Sequence, residues 1–228
     1  MKQAADQTGP LAADADIRGK AALQVGSWYR VGLGEPKNPQ LAESWWQRSA
    51  KLGNREASYQ LGIECRQQHK GKLVSECLDW FEQAAKRDHA GAQFILGEWY
   101  ASQSGADADA VQWLEKAAEQ GNRDAQYQLG LRYEQGKGVS KRPDLALRWY
   151  EKAAAQQQPD ALLALARQAN TTEAFPLYQR AANAGSPSAQ LWLGQTYLVD
   201  KQVPQDLALG RYWLELAAGQ GFHEAEYQ

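Results

Sequence analysis

Apolar and small residues recur along the chain at helical spacing. A Trp stands four residues before a small pair in Trp45…Ser49-Ala50, Trp80…Ala84-Ala85, Trp113…Ala117-Ala118, Trp149…Ala153-Ala154 and Trp213…Ala217-Ala218. Leu177 takes its place before Ala181-Ala182. Three residues ahead of each stands Ala42, Cys77, Ala110, Ala146, Ala174 or Gly210. Spacings of three and four hold these side chains on one face of a helix. A second signature precedes each: Val25-Gly26, Leu61-Gly62, Leu96-Gly97, Leu129-Gly130 and Leu193-Gly194, with Leu165-Ala166 as a variant. An aromatic follows the Gly at the third position as Tyr29, Tyr100, Tyr133 and Tyr197, and Cys65 replaces it in the second repeat. Successive signatures are 36, 35, 33, 36 and 28 residues apart. That period predicts a helical hairpin repeated six times.

The punctuation between these helices agrees. Gly136-Lys137-Gly138-Val139 supplies glycines able to adopt positive φ after a first helix. Pro39 and Pro143 stand where second helices start, and Gln120-Gly121-Asn122 is a short polar link after one. A glycine inside a helix costs about 1 kcal/mol relative to Ala, so five in register point to a packing reason. The expectation is that each faces the small residue of the second helix, while Trp and Tyr fill the seams between hairpins. Gly130→Leu is then expected to wedge its hairpin apart.

The fourth repeat, with Ala125, Leu129, Gly130, Tyr133, Gly136, Gly138, Val139, Ala146, Trp149, Tyr150, Ala153 and Ala154, resembles the Sel-1-like repeat family, a branch of the tetratricopeptide-type solenoids. Six repeats align, over roughly residues 15 to 222. The resemblance implies an all-α, right-handed superhelical solenoid of six two-helix repeats plus a truncated seventh. Residues 1–14 are set apart as a disordered N-terminal segment and 15–228 as a single solenoid. The departures are local. The fifth repeat is short in the loop after Ala169, carries Ala166, Leu177 and Pro176, and is expected to turn abruptly there. Glu224-Ala225-Glu226-Tyr227-Gln228 mirrors Asp124-Ala125-Gln126-Tyr127-Gln128 and stops before the next Leu-Gly is due. The expectation is a chain cut within its last repeat, or one that pairs through that end.

Composition narrows the function classes. The 228 residues are 43% apolar and 23% charged with a formal charge of −2, which argues against a general nucleic-acid binder. The longest apolar run, 161–166, falls far short of the roughly 20 residues that span a bilayer. No apolar leader is visible after Met1, so the chain reads as cytoplasmic by default and as exported if a leader has been removed.

No constellation of catalytic residues stands out, so no enzyme activity, cofactor or metal is expected. His69, His89 and His223 lack ligand spacing and read as solvated surface residues. Gly32-Leu33-Gly34 is too short for a dinucleotide fingerprint, and no Gly-x-Ser-x-Gly elbow occurs. The carboxylates lie on solvated helix positions without an evident acid/base pair. Cys65 and Cys77 read either as buried free thiols or, on facing helices, as a disulfide that implies an oxidising compartment. Two thiols alone do not make a zinc site. Asn170-Thr171-Thr172 fits both a glycosylation sequon and a helix N-cap. Lys137, Lys141 and Arg142 read as a solvated link.

By the same resemblance, the first helices line a concave surface, and positions −3, +1, +4 and +5 from the Gly face it. These hold Arg30, Tyr59, Arg66, Phe94, Glu98, Tyr127, Glu134, Arg167 and Gln195, the candidate partner-binding residues. The varied +1 and +4 residues are the stronger candidates, because the repeat does not need them. The aromatic −3 residues also fit a purely sealing role. Their mixed charge selects neither a purely acidic nor a purely basic ligand. The function expected is a non-catalytic interaction scaffold or adaptor for a protein or peptide. The alternatives are a structural element that self-associates through its C-terminal end, and, by the resemblance, an exported bacterial envelope or host-contact factor.

Overall fold

A computed structural model describes residues 10–199 and 204–221. Among the described residues it holds twelve α-helices and no strand. They are α1 (Pro10–Val31), α2 (Pro39–Lys51), α3 (Arg55–Gln68), α4 (Ser75–Ala85), α5 (Ala90–Ala101), α6 (Asp107–Glu119), α7 (Arg123–Gln135), α8 (Pro143–Ala155), α9 (Pro159–Gln168), α10 (Thr171–Asn183), α11 (Pro187–Val199) and α12 (Leu207–Gly219). Odd-numbered helices carry the Leu-Gly signature and even-numbered ones the Trp signature, as the periodicity predicts. Helix α1 already opens at Pro10, within the stretch set apart as 1–14. The chain forms two compact units, Met1–Gln120 and Gly121–Gln228, each of three hairpins. Within each unit the well-packed pairs are all consecutive helices. The expected seventh repeat begins at His223, and residues 223–228 lie outside the described residues.

Helix ends follow from short polar residues. Asn38, Asn54, Asn122 and Asp206 each accept a backbone N–H three residues on, which closes the first turn of α2, α3, α7 and α12. Asn170 caps α10 by accepting from the N–H groups of Thr172 and Glu173. Only Ala169 separates that cap from the end of α9, which is the abrupt turn expected in the short fifth repeat. Pro39 and Pro143 take the first positions of α2 and α8.

The glycine signature has a sharper cause than small against small. A Cβ on Gly130 would lie 2.7 Å from the Tyr150 ring and 3.2 Å from the Ala146 carbonyl. On Gly26 it would meet the Trp46 ring at 2.5 Å and the Ala42 carbonyl at 3.0 Å. Phe81, Leu114 and Leu214 lie in the same way over Gly62, Gly97 and Gly194. So the small residue does bring the helices close, but what fills the space over the glycine is a large buried side chain, one position beyond the Trp of the signature. In the fifth repeat Ala166 carries the methyl group, and the equivalent Tyr178 stacks on Trp192 at 3.8 Å instead. The Trp positions do serve the seams. Trp80 packs on the cluster of Trp46, Ala50, Ala57 and Leu61, and Trp113 on that of Phe81 and Leu96.

Buried glutamines form polar rungs that the apolar pattern does not reveal. Gln93 and Gln190 donate to the carbonyls of Ala85 and Ala182, both at 3.1 Å. Each of Gln93, Gln126 and Gln190 accepts from a glutamine just past the following even-numbered helix: Gln120, Gln156 and Gln220. Every rung is thereby hydrogen-bonded, as buried amides require. Their sequence signal is the Ala-Gln pair that opens Ala92-Gln93, Ala125-Gln126 and Ala189-Gln190.

Candidate partner-binding clefts

Five of the nine candidate residues gather in two clefts. In the unit Met1–Gln120, Arg66 of α3 and Glu98 of α5 border a cleft of about 350 Å³ with Lys72, Leu73 and Trp99. The Arg66 Nε donates to the Gly71 carbonyl at 2.9 Å, which ties the guanidinium to the α3–α4 link. In the unit Gly121–Gln228, a cleft of about 330 Å³ brings together Tyr127 and Glu134 of α7 with Arg167 of α9. Helix α11 adds Ser188, so the odd-numbered helices supply almost all of this lining.

The remaining four candidates border neither cleft. Arg30 makes an ion pair with Glu64 and a 3.3 Å hydrogen bond to Gln67, joining α1 to α3. Tyr59 stacks on His89 with ring centroids 4.2 Å apart and meets Phe81 edge-on at 5.9 Å. Phe94 and Gln195 are half-buried. A further cleft of about 410 Å³ between α1 and α2, with Arg18, Trp45 and Arg48, contains none of the candidates.

In the α7–α9–α11 cleft, Glu134 is held in place from two sides. The Tyr150 hydroxyl donates to its Oε2 at 3.0 Å, and Gln168 Nε2 donates to its Oε1 at 3.4 Å. Burial, then the hydrogen bond to Glu134, push the Tyr150 phenol well above its ordinary range. Burial also raises Tyr127, and the carboxylates of Asp160 and Glu134 raise it further, while Arg167 opposes them. Asp160, Gln168 and Tyr150 were missed by the sequence reading. The signal for Asp160 was its place seven residues, two helical turns, before Arg167 on one face of α9.

Two sequence expectations are corrected here. His89 is not a solvated residue. Its Nδ1 accepts from the Ala92 N–H at 3.1 Å and caps α5, and its Nε2–H donates to Glu56 Oε2 at 3.0 Å. The buried-free-thiol reading of the cysteines gives way to the disulfide: Cys65 of α3 and Cys77 of α4 are bonded to each other, with Cα atoms 5.4 Å apart. His69 is exposed, with its Nδ1 3.8 Å and 4.0 Å from the two sulfurs and 2.9 Å from the Cys65 carbonyl. The three side chains offer donor atoms within 4.8 Å of one another. With the sulfurs joined, however, His69 has no thiolate co-ligands. His223 lies outside the described residues.

Consecutive helical hairpins with a glycine closed by a large side chain, and clefts open on the odd-numbered helices, define a helical-repeat scaffold. The Sel1 repeat family model matches residues 19–54, 55–89, 90–122, 123–157, 163–186 and 187–222, and the chain belongs to the Sel1 repeat family. Such proteins are in general non-catalytic scaffolds for protein–protein interaction. The chain is similar to a Sel1 repeat protein from Oxalobacter formigenes, at 29% identity and a TM-score of 0.77, covering 92% of this chain and 88% of that one. It is also similar to a protective antigen of uropathogenic Escherichia coli with an SLR fold, at 28% identity and a TM-score of 0.77. That match covers 95% of this chain but 49% of the antigen, so the chain spans about half of it. An immunity protein of Pseudomonas aeruginosa, at 20% identity and a TM-score of 0.58 over 90% of this chain and 82% of that one, shares the fold alone. No curated protein matches the chain. Among the described residues, no helix is long and apolar enough to cross a membrane.

Proposed function

We propose that the chain is a binding scaffold that holds a peptide or partner domain at clefts lined by the odd-numbered helices within its units. The observation that carries this reading is the convergence of Tyr127, Glu134 and Arg167 on one cleft of about 330 Å³. Glu134 and Arg167 were named from positions the repeat itself leaves free, and Tyr127 from the −3 position. Binding works without chemistry: the scaffold's rigidity lowers the ordering cost of association, while the cleft charges set orientation and selectivity. The test is a capture experiment from the source cell with the wild-type chain beside an Arg66→Glu, Glu134→Lys variant. A partner kept by the wild type and lost by the variant supports the reading. A partner held equally by both moves the site away from these clefts.

Export to an oxidising compartment belongs to the same proposal. The Cys65–Cys77 disulfide is of the kind that persists there, and the similar Escherichia coli protein is described as a protective antigen. Thiol titration of the protein, taken from its cell without reductant, is expected to find no free thiol. Two free thiols per chain would refute export. The assembly alternative draws on α12, where Leu207, Tyr212 and Leu216 are exposed, and predicts a solution mass that rises with concentration.

A further inference from the structure

The α7–α9–α11 cleft also carries a charge code. Three ionic groups line it: Glu134 of α7, and Asp160 and Arg167 of α9. Glu134 is fixed by Tyr150 and Gln168. Asp160 and Arg167 are exposed, and among the described residues neither has an ion pair or a side-chain hydrogen bond. Two carboxylates face one guanidinium, so the net charge of the cleft is −1. Tyr127 is half-buried at the same cleft and adds an aromatic surface. Carboxylates beside an aromatic ring recognise an ammonium or a guanidinium, by charge-assisted hydrogen bonds and cation–π attraction.

We infer that this cleft takes a basic side chain, arginine or lysine, from an extended segment of a partner protein, with Asp160 as its carboxylate and Tyr127 as its aromatic wall. This rests on the scaffold reading above and gives that reading a ligand chemistry. Arg167 restricts the segment further. It repels a second basic residue and pairs with an acidic one. Asp160 and Arg167 are seven residues apart on one helix, about 10 Å along its axis. An extended chain covers that distance in about three residues. The recognised segment therefore carries a basic and an acidic residue about three positions apart, and a polybasic run is disfavoured.

The test is selection of peptides from a displayed random 12-residue library on the purified full chain. The selected peptides are then resynthesised with a fluorophore and measured by polarisation. The expected peptides place Arg or Lys about three residues from Asp or Glu. Their affinity falls at least tenfold for Asp160→Asn, and falls equally when citrulline replaces the arginine. Asp160 is exposed, so Asp160→Asn is expected to melt like the wild type, and that is checked alongside. Peptides that lose binding to Tyr127→Ala yet contain no basic residue would overturn this inference and leave the scaffold reading standing. No enrichment, or peptides indifferent to every substitution in the cleft, would overturn both for this unit.

Discussion

At the scale of single residues, the close approach over Gly130 makes the sharpest prediction. A Leu there gains about 1 kcal/mol in helix propensity over Gly. Against that, even its Cβ falls 2.7 Å from the buried Tyr150 ring and 3.2 Å from the Ala146 carbonyl, and a backbone carbonyl has no rotamer to escape into. Overpacking wins, and Gly130→Leu is expected to cost about 1–3 kcal/mol; a urea midpoint equal to the wild type would refute the packing. A second prediction concerns Glu56. The hydrogen bond from His89 holds its carboxyl below the usual glutamate range, against the opposing effect of burial and with help from Gln60. A pKa lowered by folding gives stabilisation that is complete above the ordinary glutamate value and is lost as pH falls through the lowered one. Glu56→Gln should therefore flatten stability against pH in the acid range, and an unchanged slope would reject the pairing. At this scale the sequence was only partly legible. Adjacent helix positions differ by about 100°, and Trp45-Trp46 and Trp149-Tyr150 are both aromatic pairs, so the periodicity could not say which ring covers the glycine. The roles of Arg30 and Tyr59 depend on Glu64, His89 and Phe81, which lie outside their own helices and at no fixed sequence offset.

At the scale of the helical hairpin, the chain declared most of its structure. Helix starts at Asn38, Asn54, Asn122 and Asp206 follow from side-chain chemistry local to each turn, so they needed no tertiary information. The α3–α4 hairpin was the ambiguous one, because a separation of twelve residues is compatible with bonded or free thiols until the path of the link is known. That link turns through Lys70 and Gly71 at positive φ and sets Cys65 against Cys77. Closing a loop of this size removes denatured-state entropy worth about 2–4 kcal/mol in the chain-entropy account. A Cys65→Ser, Cys77→Ser chain is thus expected to lose about that much stability in urea unfolding, with reductant lowering the wild type alike. A loss below the error of the extrapolation would mean that the hairpin closes equally well without the bond.

At the scale of the whole chain, what matters is that the helices pack with their sequence neighbours. Six in-register repeats were legible because each repeats the same local solution, and the clefts were partly legible because positions unused by that solution are free to vary. What stayed hidden is what the apolar pattern does not mark: the glutamine rungs, and the charge of Asp160, which falls outside the repeat positions considered. Nearest-neighbour packing also has an energetic consequence. In such arrays stability is approximately a sum of repeat and interface contributions, so a local loss stays local. Removing the Cys65–Cys77 bond should speed amide hydrogen exchange in α3, α4 and their neighbours α2 and α5 while leaving α9 to α12 at wild-type rates. Those helices share no well-packed pair with the hairpin that was loosened. Equal acceleration in all twelve helices would show instead that the two units unfold as one cooperative body, and the additive account of this chain would have to be given up.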